Sequence, residues 1–487
     1  MSATIDYSSA ANPTPVAEGN RIAGERAASA RISEVVDPAT GRVLATVPLS
    51  SAADVEEAVA AASAAGEGWA RTPPQERARI LGGWAEALLA NRTRLAATAT
   101  AEMGKPLAES LGEVDRAAAE IAFMAGEAQR LTGESIPSSV PGTLVVTMRV
   151  PVGLVLAITP WNFPIVSPVR KIAPALAAGN AVVCKPSMEA PLTALALADL
   201  AAEAGLPAGV LNVICGDRDG AGAALVASPL VKAISFTGST TAGRAIAEIA
   251  ARNLVPVQLE LGGKNAVYVD ASADLDRAVP EIVSAAIQCS GQRCTAISRV
   301  LADEPIADEL TERLAADFDR LTVGPGTDPS VKVGPLVSAA HRRRVAGYIA
   351  VGIGEGAVVA TGRTDAPEGN YVAPAILAGV LPTMRIAREE VFGPVLSVGQ
   401  VRGVAEAIAV TNDCDYGLAS AVFARDIGVA LEFVRGAETG MVHVNHGNAS
   451  QPHVPFGGVK DSGLGAYSIG HSAQEFFTRL KVAYVRG

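Results

Sequence analysis

Three side chains with complementary chemistry stand far apart in the sequence: the thiol of Cys294, the carboxylate of Glu260 and the amide of Asn162. A thiolate is the best side-chain nucleophile near neutral pH when its pKa is depressed. A carboxylate can activate a water, and an amide N–H can hold an oxyanion. Brought together, the three groups could attack a carbonyl, stabilise the adduct and hydrolyse it.

Each of these residues also has an ordinary interpretation when it is taken alone. Glu260 could be a solvated strand end, Asn162 a turn residue and Cys294 a buried structural thiol, and the other cysteines are interpreted in that last way. The turn Ser290-Gly291-Gln292 before Cys294 is expected to favour a thiolate through its backbone N–H groups. Cys289 lies five positions before Cys294 with no His or third Cys nearby, so we predict no metal site.

Short apolar strands alternate with helices in the middle of the chain, which predicts a doubly wound parallel sheet. Lys185-Pro186-Ser187 follows one of these strands, and Gly238-Ser239 follows another and opens a helix. Ligands bind at the carboxyl ends of parallel strands, and a helix start offers N–H groups to a phosphate. No Gly-x-Gly-x-x-Gly follows a strand here, so the sheet pattern alone does not identify a dinucleotide.

Bulk properties exclude several classes of protein. The chain has 487 residues, which is too many for one core, and a net charge of −10, which argues against nucleic-acid binding. No apolar run is long enough to span a membrane. Residues 1–30 lack the pattern of a signal peptide and are expected to form a frayed arm. Five cysteines without framework spacing favour a reducing, cytoplasmic setting.

Seven motifs in order make the chain resemble the NAD(P)-dependent aldehyde dehydrogenase superfamily, from about residue 37 to residue 485. They are Pro160-Trp161-Asn162-Phe163-Pro164, Lys185-Pro186-Ser187, Phe236-Thr237-Gly238-Ser239, Leu259-Glu260-Leu261-Gly262-Gly263-Lys264, Gly291-Gln292-Arg293-Cys294, Glu389-Glu390-Val391-Phe392-Gly393-Pro394 and Pro455-Phe456-Gly457-Gly458. Independent matches in the right order make coincidence improbable.

The resemblance implies a role for each motif. Cys294 would attack an aldehyde, the Asn162 amide and the Cys294 backbone N–H would hold the oxyanion, and Glu260 would activate the water that hydrolyses the thioester. NAD or NADP would be the cofactor. The residues implied in its binding are Thr159, Trp161, Lys185, Ser187, Met188, Gly238, Ser239, Glu390 and Phe392. Because relatives that transfer the acyl group to coenzyme A usually lack the glutamate, Glu260 favours release of a free carboxylate.

Three departures from the family pattern leave questions open. Met188 stands where many NAD-using relatives have Glu, so the preference between NAD and NADP is undecided. Tyr467 replaces a carboxylate often found near the active site. Arg170 matches one of two arginines that bind the substrate carboxylate in succinate-semialdehyde dehydrogenases, whereas Gln288 stands in place of the other. An anionic semialdehyde is therefore one hypothesis, and an uncharged aldehyde with a structural Arg170 is the alternative.

The resemblance also implies a domain plan. We expect a dinucleotide-binding domain from residues 1–132 and 152–260, and a second α/β catalytic domain from residues 261–445. Small β segments, 133–151 and 446–487, would bridge subunits of a homodimer or homotetramer. Two rival functions remain: hydrolysis of esters or thioesters by the Cys–Glu pair alone, and a non-catalytic binding role. Residues that fix the nicotinamide, Glu390 and Phe392, argue against the first, and retention of all three catalytic groups argues against the second.

Overall fold

A computed structural model describes residues 15–486. An eight-stranded sheet forms the first half of the fold, and its five central strands are parallel, as expected for alternating strands and helices. Its strands, in spatial order, are Gly463–Leu464, Val257–Glu260, Val231–Thr237, Leu154–Ile158, Ala181–Lys185, Leu211–Val213, Asn20–Ile22 and Glu25–Ala27.

Both faces of this sheet are covered by helices, because successive side chains of a strand point to opposite faces. In the strand Leu154–Ile158, Val155 and Ala157 pack into one apolar core, and Leu154 and Leu156 pack into a second core. The helices of this part of the chain are Ala52–Arg71, Pro74–Ala90, Arg92–Met103, Leu107–Glu127, Val166–Ala177, Leu192–Glu203, Ala223–Ala227 and Thr240–Arg252, with a π-helical turn at Arg218–Gly222. The predicted doubly wound α/β architecture is confirmed.

A seven-stranded sheet forms the second half, with six parallel strands and one antiparallel edge strand. Its strands, in spatial order, are Val358–Val359, Ala375–Ala378, Val395–Val401, Ile297–Asp303, Asn265–Val269, Ala419–Phe423 and Met441–Val444. Its helices are Leu275–Ile287, Ala307–Asp319, Ala339–Gly354, Arg385–Arg388, Gly403–Asn412 and Ile427–Gly436, with 3₁₀ turns at Gln288–Gly291 and Glu304–Ile306.

A third sheet has three strands and an apolar outer surface. The C-terminal strand Thr478–Arg486 pairs antiparallel with Thr143–Pro151 over nine residues, and Ser135–Ile136 pairs with the other side of Thr143–Pro151. The exposed apolar side chains on the two long strands are Leu144, Met148, Leu480, Val482, Tyr484 and Val485. The remaining elements are the strands Val16–Ala17, Ile32–Val36 and Val43–Pro48, the pair Tyr416–Gly417 and Val459–Lys460, and the helix Ala473–Phe477.

The prediction of a frayed arm over residues 1–30 is wrong for its second half. The strands Asn20–Ile22 and Glu25–Ala27 extend the first sheet from Leu211–Val213. Asn20 is buried, its side chain donates to Ser50 Oγ at 2.9 Å, and its Oδ1 accepts from the Cys215 N–H at 2.8 Å. Residues 1–14 lie outside the described residues. No helix within residues 15–486 has the length and apolarity to cross a membrane.

Candidate active site

A cavity of about 480 Å³ is lined by residues that follow strands of both large sheets. Cys294, Glu260 and Asn162, which are separated by up to 132 positions in the sequence, all line it. Of the other residues singled out by the sequence, those that also line it are Trp161, Arg170, Gly238, Ser239, Gln288, Glu390 and Phe392. The structure thus brings the thiol, the carboxylate and the amide to one cavity.

Cys294 follows a strained turn. After the helix Leu275–Ile287, Cys289, Ser290 and Gly291 have φ values of 55°, 56° and 72°. The left-handed region costs non-glycine residues on the order of 1–2 kcal/mol each, so it persists only where surrounding contacts impose it. A Cβ at Gly291 would lie 2.2 Å from the backbone oxygen of Gly393, which explains why glycine occupies this position.

Hydrogen bonds from three distant segments hold this turn. The Cys289 N–H donates to Glu109 Oε2 at 2.7 Å, and the Ser290 hydroxyl donates to the Gly334 carbonyl at 3.0 Å. The Asn265 side chain donates to the Cys294 carbonyl at 2.7 Å. The backbone of the nucleophile is therefore fixed before any substrate binds.

The pKa of the Cys294 thiol is raised to about 11, first by burial and then by the negative charge of Glu260. Arg293 and Arg170 oppose this effect through their positive charges but do not outweigh it. This differs from the expectation that the preceding turn favours the anion, because enclosure of the sulfur dominates. Cys294 is therefore a protonated thiol at neutral pH and needs a base before it can attack.

Asn162 is fixed at both its amide and its backbone. Its Nδ2 donates to the Gln292 carbonyl at 2.8 Å, and its own carbonyl accepts from Lys105 Nζ at 3.1 Å and from the Cys289 thiol at 3.4 Å. Lys105 is buried and forms an ion pair with Glu113, which is also buried. An amide nitrogen carries two N–H groups, so one remains for an oxyanion beside Cys294.

The Glu260 carboxylate is buried and accepts two hydrogen bonds. Ser468 Oγ donates to its Oε1, and Thr237 Oγ1 donates to its Oε2 at 3.4 Å. Sequence reasoning missed Ser468, although it follows the unusual Tyr467, which is the one signal that pointed to this segment. The strand Gly463–Leu464 pairs with the strand that ends at Glu260 and brings Ser468 close.

On one side of Cys294, backbone geometry positions the residues expected to bind nicotinamide. Glu390 accepts from the Gly263 N–H at 3.0 Å, and burial raises the pKa of Glu390 to about 7. Phe392 adopts a φ of 60°, and its ring meets the edge of Trp161 at a centroid distance of 5.6 Å. His341, which the sequence did not reveal, donates from Nε2 to the Phe392 carbonyl at 2.7 Å.

The remaining predicted cofactor residues lie beyond the cavity lining, where the strands Leu154–Ile158 and Ala181–Lys185 end. Thr159 Oγ1 is buried without a hydrogen-bond partner in the described part of the chain. Lys185 Nζ donates to its neighbouring carbonyl, Pro186 O, at 3.4 Å, and Met188 Sδ accepts from the Gly216 N–H at 3.1 Å. Ser187 donates to Glu189. A hydroxyl and an ammonium at strand ends fit a dinucleotide with ribose hydroxyls and phosphates.

Ser239 caps the helix Thr240–Arg252 and lies where the cavity meets these strand ends. Its Oγ accepts from the Ala242 N–H at 3.3 Å, and Gly238 precedes it. The N-terminus of a helix favours phosphate through its free N–H groups and its dipole. This position fits the pyrophosphate of a dinucleotide that runs from Thr159 towards Glu390.

Comparison with known proteins agrees with this geometry, because the model of the aldehyde dehydrogenase family matches residues 25–483. The chain belongs to the aldehyde dehydrogenase family. The family and enzyme class predicted from the sequence are thus confirmed: the protein is an NAD(P)-dependent aldehyde dehydrogenase, and NAD and NADP both remain candidates.

Relatives within the aldehyde dehydrogenase family differ in substrate and cofactor. Phenylacetaldehyde dehydrogenase of Pseudomonas fluorescens is 43% identical over 94% of each chain. The NADP(+) succinate-semialdehyde dehydrogenase of Escherichia coli is 37% identical over 93% of each chain. The crystal structure of an NAD-dependent aldehyde dehydrogenase from Sinorhizobium meliloti matches with a TM-score of 0.94 and 37% identity, over 96% of this chain and 95% of that chain.

Arg116, Arg170 and Phe456 also line this cavity, and the part that they line is called the substrate side. Arg170 donates from Nε and Nη2 to the buried carboxylate of Glu120 at 3.1–3.3 Å, and its guanidinium lies 4.5 Å from the centre of the Phe456 ring. Arg116 donates from Nε to the same carboxylate at 2.8 Å. Sequence reasoning missed Arg116 and Glu120, which carried no recognisable signal, and it gave Phe456 a place in a family motif but no role at the substrate.

Gln288, the second tentative substrate residue, is engaged by a neighbour. Its side-chain oxygen accepts from Arg293 Nη1, while Arg293 Nη2 donates to the Asn448 carbonyl at 3.0 Å. Both terminal nitrogens of Arg293 are therefore committed to the wall of the cavity. Gln288 orients Arg293 in this structure, and it offers no charge of its own to an anionic substrate.

Proposed function

We propose that this aldehyde dehydrogenase oxidises an anionic semialdehyde, such as succinate semialdehyde, to a dicarboxylate by a hydrolytic mechanism. The observation that carries the proposal is one cavity that Cys294, Glu260 and Asn162 line together with two part-buried arginines, Arg116 and Arg170. A carboxylate of the substrate would face those arginines while its aldehyde meets the thiol. Arg170 is the arginine implied for this task by the sequence.

The first step is attack of Cys294 Sγ on the aldehyde carbon. Because burial keeps the thiol protonated, its proton passes to the Glu260 carboxylate, whose charge acts on the sulfur. The carbonyl oxygen becomes an oxyanion that accepts hydrogen bonds from Asn162 Nδ2 and from the Cys294 N–H. Donors fixed in advance in a buried site stabilise such a charge by about 3–4 kcal/mol.

Bound NAD or NADP supplies the acceptor for the hydride that leaves the adduct carbon, and a thioester of Cys294 remains. Trp161, Glu390 and Phe392 would hold the nicotinamide end, and Thr159, Lys185 and Ser187 would hold the adenosine end. Glu390 fits a ribose hydroxyl, because its carboxylate is already oriented by the Gly263 N–H. Met188 neither repels nor binds a 2′-phosphate, so use of both dinucleotides fits this chain.

The second half of the reaction is hydrolysis. Glu260, after releasing the thiol proton to solvent, takes a proton from a water that attacks the thioester carbon, and the C–S bond breaks to give the carboxylate product and the thiol. Ser468 and Thr237 keep the carboxylate in place for this second use. Water is thus the acyl acceptor that Glu260 favours over coenzyme A.

An uncharged aldehyde is the second candidate, and one specific observation favours it. Arg170 already pairs with Glu120 through three contacts, which compensates much of its charge. The similarity to a phenylacetaldehyde dehydrogenase points the same way. Two arginines, Arg116 and Arg170, share this one carboxylate, so the three side chains together keep a net positive charge. The anionic substrate therefore remains the leading candidate.

Reduced-nicotinamide absorbance tests the proposal directly. We expect wild type to form reduced nicotinamide from succinate semialdehyde and water with NAD or NADP, and we expect Cys294→Ala to form none. Turnover of succinate semialdehyde is then compared with that of an uncharged aldehyde of equal length, in wild type and in Arg170→Ala. A selective loss on the charged substrate supports the anionic class. An equal loss on both would remove it, and ester cleavage without reduction of either dinucleotide would favour the hydrolase alternative.

The third sheet supports the predicted homodimer or homotetramer. Its outer strand Thr478–Arg486 has one edge paired within the chain, and its exposed side chains include Leu480 and Tyr484. An apolar strand with an open edge pairs readily with another chain. Burial of this surface between subunits is therefore proposed. All five cysteines are free thiols, which agrees with the predicted cytoplasmic setting.

A further inference from the structure

One guanidinium on the substrate side of the cavity has a hydrogen-bond donor without a partner among the described residues. Arg116 lies on the helix Leu107–Glu127 and lines the cavity. Its Nε donates to Glu120 Oε1 at 2.8 Å, and its Nη1 donates to the Ser450 carbonyl. Its Nη2 is buried and has no hydrogen-bond partner within residues 15–486. The side chain is thus held at two nitrogens, and the third is enclosed without an acceptor, so a substrate oxygen reaches it only when a neighbouring group shifts.

A buried donor without a partner is unfavourable unless a ligand supplies a hydrogen-bond acceptor. A buried polar group without a partner loses its hydration without compensation, and the loss is larger for a charged group. An arginine that served only to pair with Glu120 would not need to line a cavity. The open nitrogen therefore indicates a site for a hydrogen-bond acceptor that arrives with the substrate.

The charge around Arg116 selects the kind of acceptor. Arg116 and Arg170 both donate to Glu120, so two positive charges face one negative charge. The contacts between Arg170 and Glu120 use Nε and Nη2, and Arg170 Nη1 makes no hydrogen bond in the described part of the chain. One N–H group on each of two arginines and a net positive charge fit a carboxylate, which can accept one hydrogen bond on each oxygen.

We propose that Arg116 is the second anchor for the substrate carboxylate and supplies the positive group that Gln288 lacks. This inference rests on the proposed oxidation of an anionic semialdehyde and names the residue that recognises the anion together with Arg170. Two other arginines line the cavity. Arg293 is not suited to the task because both its terminal nitrogens are engaged by Gln288 and Asn448, and Arg344 donates to the carbonyl of Glu390, one of the cofactor residues. Glu120 acts as the counter-ion that keeps two arginines close together.

The test uses two substrates that share a carbon skeleton and differ in charge: succinate semialdehyde and its methyl ester. In Arg116→Met we expect kcat/KM for the acid to fall by about 10- to 100-fold, the range for a lost hydrogen bond between charged groups. Most of this loss should lie in KM. For the methyl ester, kcat/KM should stay within about threefold of wild type, because the ester has no carboxylate for the arginine to bind. Arg116→Lys, which keeps the charge but loses the second nitrogen, should fall between.

A matched control is Arg92→Met. Arg92 forms an exposed ion pair with Asp115, the residue next to Arg116 on the same helix, and it does not line the cavity. Its removal should leave the ratio of kcat/KM for acid and ester unchanged. A measurement without turnover uses succinate itself, which should protect Cys294 from iodoacetamide in wild type and in Arg92→Met but not in Arg116→Met.

The outcomes separate the two proposals. If wild type does not favour the acid over the ester, the anionic substrate class fails, whatever Arg116 does. If wild type favours the acid and Arg170→Met abolishes the preference while Arg116→Met and Arg116→Lys retain it, the role of Arg116 is overturned and the substrate class stands. An equal loss on acid and ester in both Arg116 variants would make Arg116 a structural residue and would also overturn the inference.

Discussion

The two sides of Cys294 are built in different ways. On the cofactor side, backbone groups and glycines set the geometry: Glu390 accepts from the Gly263 N–H, and a Cβ at Gly262 would lie 2.3 Å from the Glu390 carboxylate. On the substrate side, long charged side chains meet, and Arg116 and Arg170 share Glu120. The residues on the cofactor side have little conformational freedom, whereas the charged side chains on the substrate side can exchange one ion-pair partner for another.

This difference separates the cofactor-site geometry that an enzyme must keep from the substrate contacts that it can vary. Short-range steric limits tolerate little change of shape, so the residues that would hold the nicotinamide keep one arrangement. A shared counter-ion tolerates substitution, because another charge can replace a lost one. A family that keeps one reaction and changes its aldehyde would be expected to place its variation on the substrate side.

Glu260 lies between the two sides, and its replacement gives the largest expected effect. In Glu260→Gln we expect steady-state turnover to fall by about 10²- to 10⁴-fold, because the thioester loses its general base. The same change should lower the pKa of Cys294, since the Glu260 charge is one of the groups that raise it to about 11. Alkylation of Cys294 by iodoacetamide at pH 7.5 should therefore become faster.

In Glu260→Gln, steady-state turnover should fall while the rate of Cys294 alkylation rises. A burst of reduced nicotinamide followed by slow turnover would locate the defect in hydrolysis and would show that the thiol can lose its proton to a group other than Glu260. Slower alkylation together with slower turnover would instead mean that Glu260 mainly supports the position of the thiol. Wild type treated in parallel at pH 6 to 10 provides the control, with alkylation that continues to rise as the pH approaches the pKa of the thiol.

Much of the cofactor side could be predicted from the sequence, and the reason is physical. Its residues come in short contiguous motifs, such as Gly262-Gly263 and Glu390 to Phe392, whose local backbone already carries the constraint. Arg116 and Ser468 could not be found in this way. Arg116 and Glu120 lie one helical turn apart, but Arg170, which shares Glu120, comes from a distant segment, and so does the Glu260 that Ser468 contacts.

The fold shows the same limit. The strand predicted to precede Lys185 is observed as Ala181–Lys185, because a buried parallel strand is a continuous apolar run. The strands Asn20–Ile22 and Glu25–Ala27 were missed, because three residues show no period and their pairing depends on an edge supplied by Leu211–Val213. Such short edge strands form because the sheet offers them an edge to pair with, and the local sequence alone does not predict them.

A pair of glycine substitutions would test the contrast in tolerance between the two sides. Gly291→Ala on the cofactor side should reduce kcat/KM by more than about 10²-fold, because its Cβ would meet the Gly393 backbone at 2.2 Å and φ is 72°. Gly112→Ala on the substrate side should be accepted, because its Cβ meets nothing within 4 Å and the residue lies inside the helix Leu107–Glu127.

Thermal unfolding and turnover of both glycine variants give the measurement. Gly112→Ala should gain about 0.5–1 kcal/mol of folding stability, the usual difference between the two residues inside a helix. Equal losses of activity in the two variants would contradict the contrast, since the substrate side would then be as sterically fixed as the cofactor side.

Ser468→Ala gives the smallest expected effect and tests a contact that belongs to neither side. Its hydroxyl donates to Glu260 Oε1, with the Phe456 carbonyl as a second acceptor at 3.3 Å. The hydroxyl fixes the orientation of the carboxylate that activates the water, so its loss leaves the general base less well positioned. Turnover should fall by about tenfold, the equivalent of one hydrogen bond to a charged group, and the loss should lie in kcat rather than in KM.

Two further variants make the Ser468 result specific. Ser468→Thr keeps the hydroxyl and should restore kcat, whereas Ser472→Ala removes a nearby hydroxyl that donates to the Ile469 carbonyl and should leave kcat unchanged. A kcat that stays low in Ser468→Thr would assign Ser468 to packing. Recovery of kcat with the hydroxyl would show that the base of this enzyme depends on a residue next to Tyr467, where its relatives often carry a carboxylate.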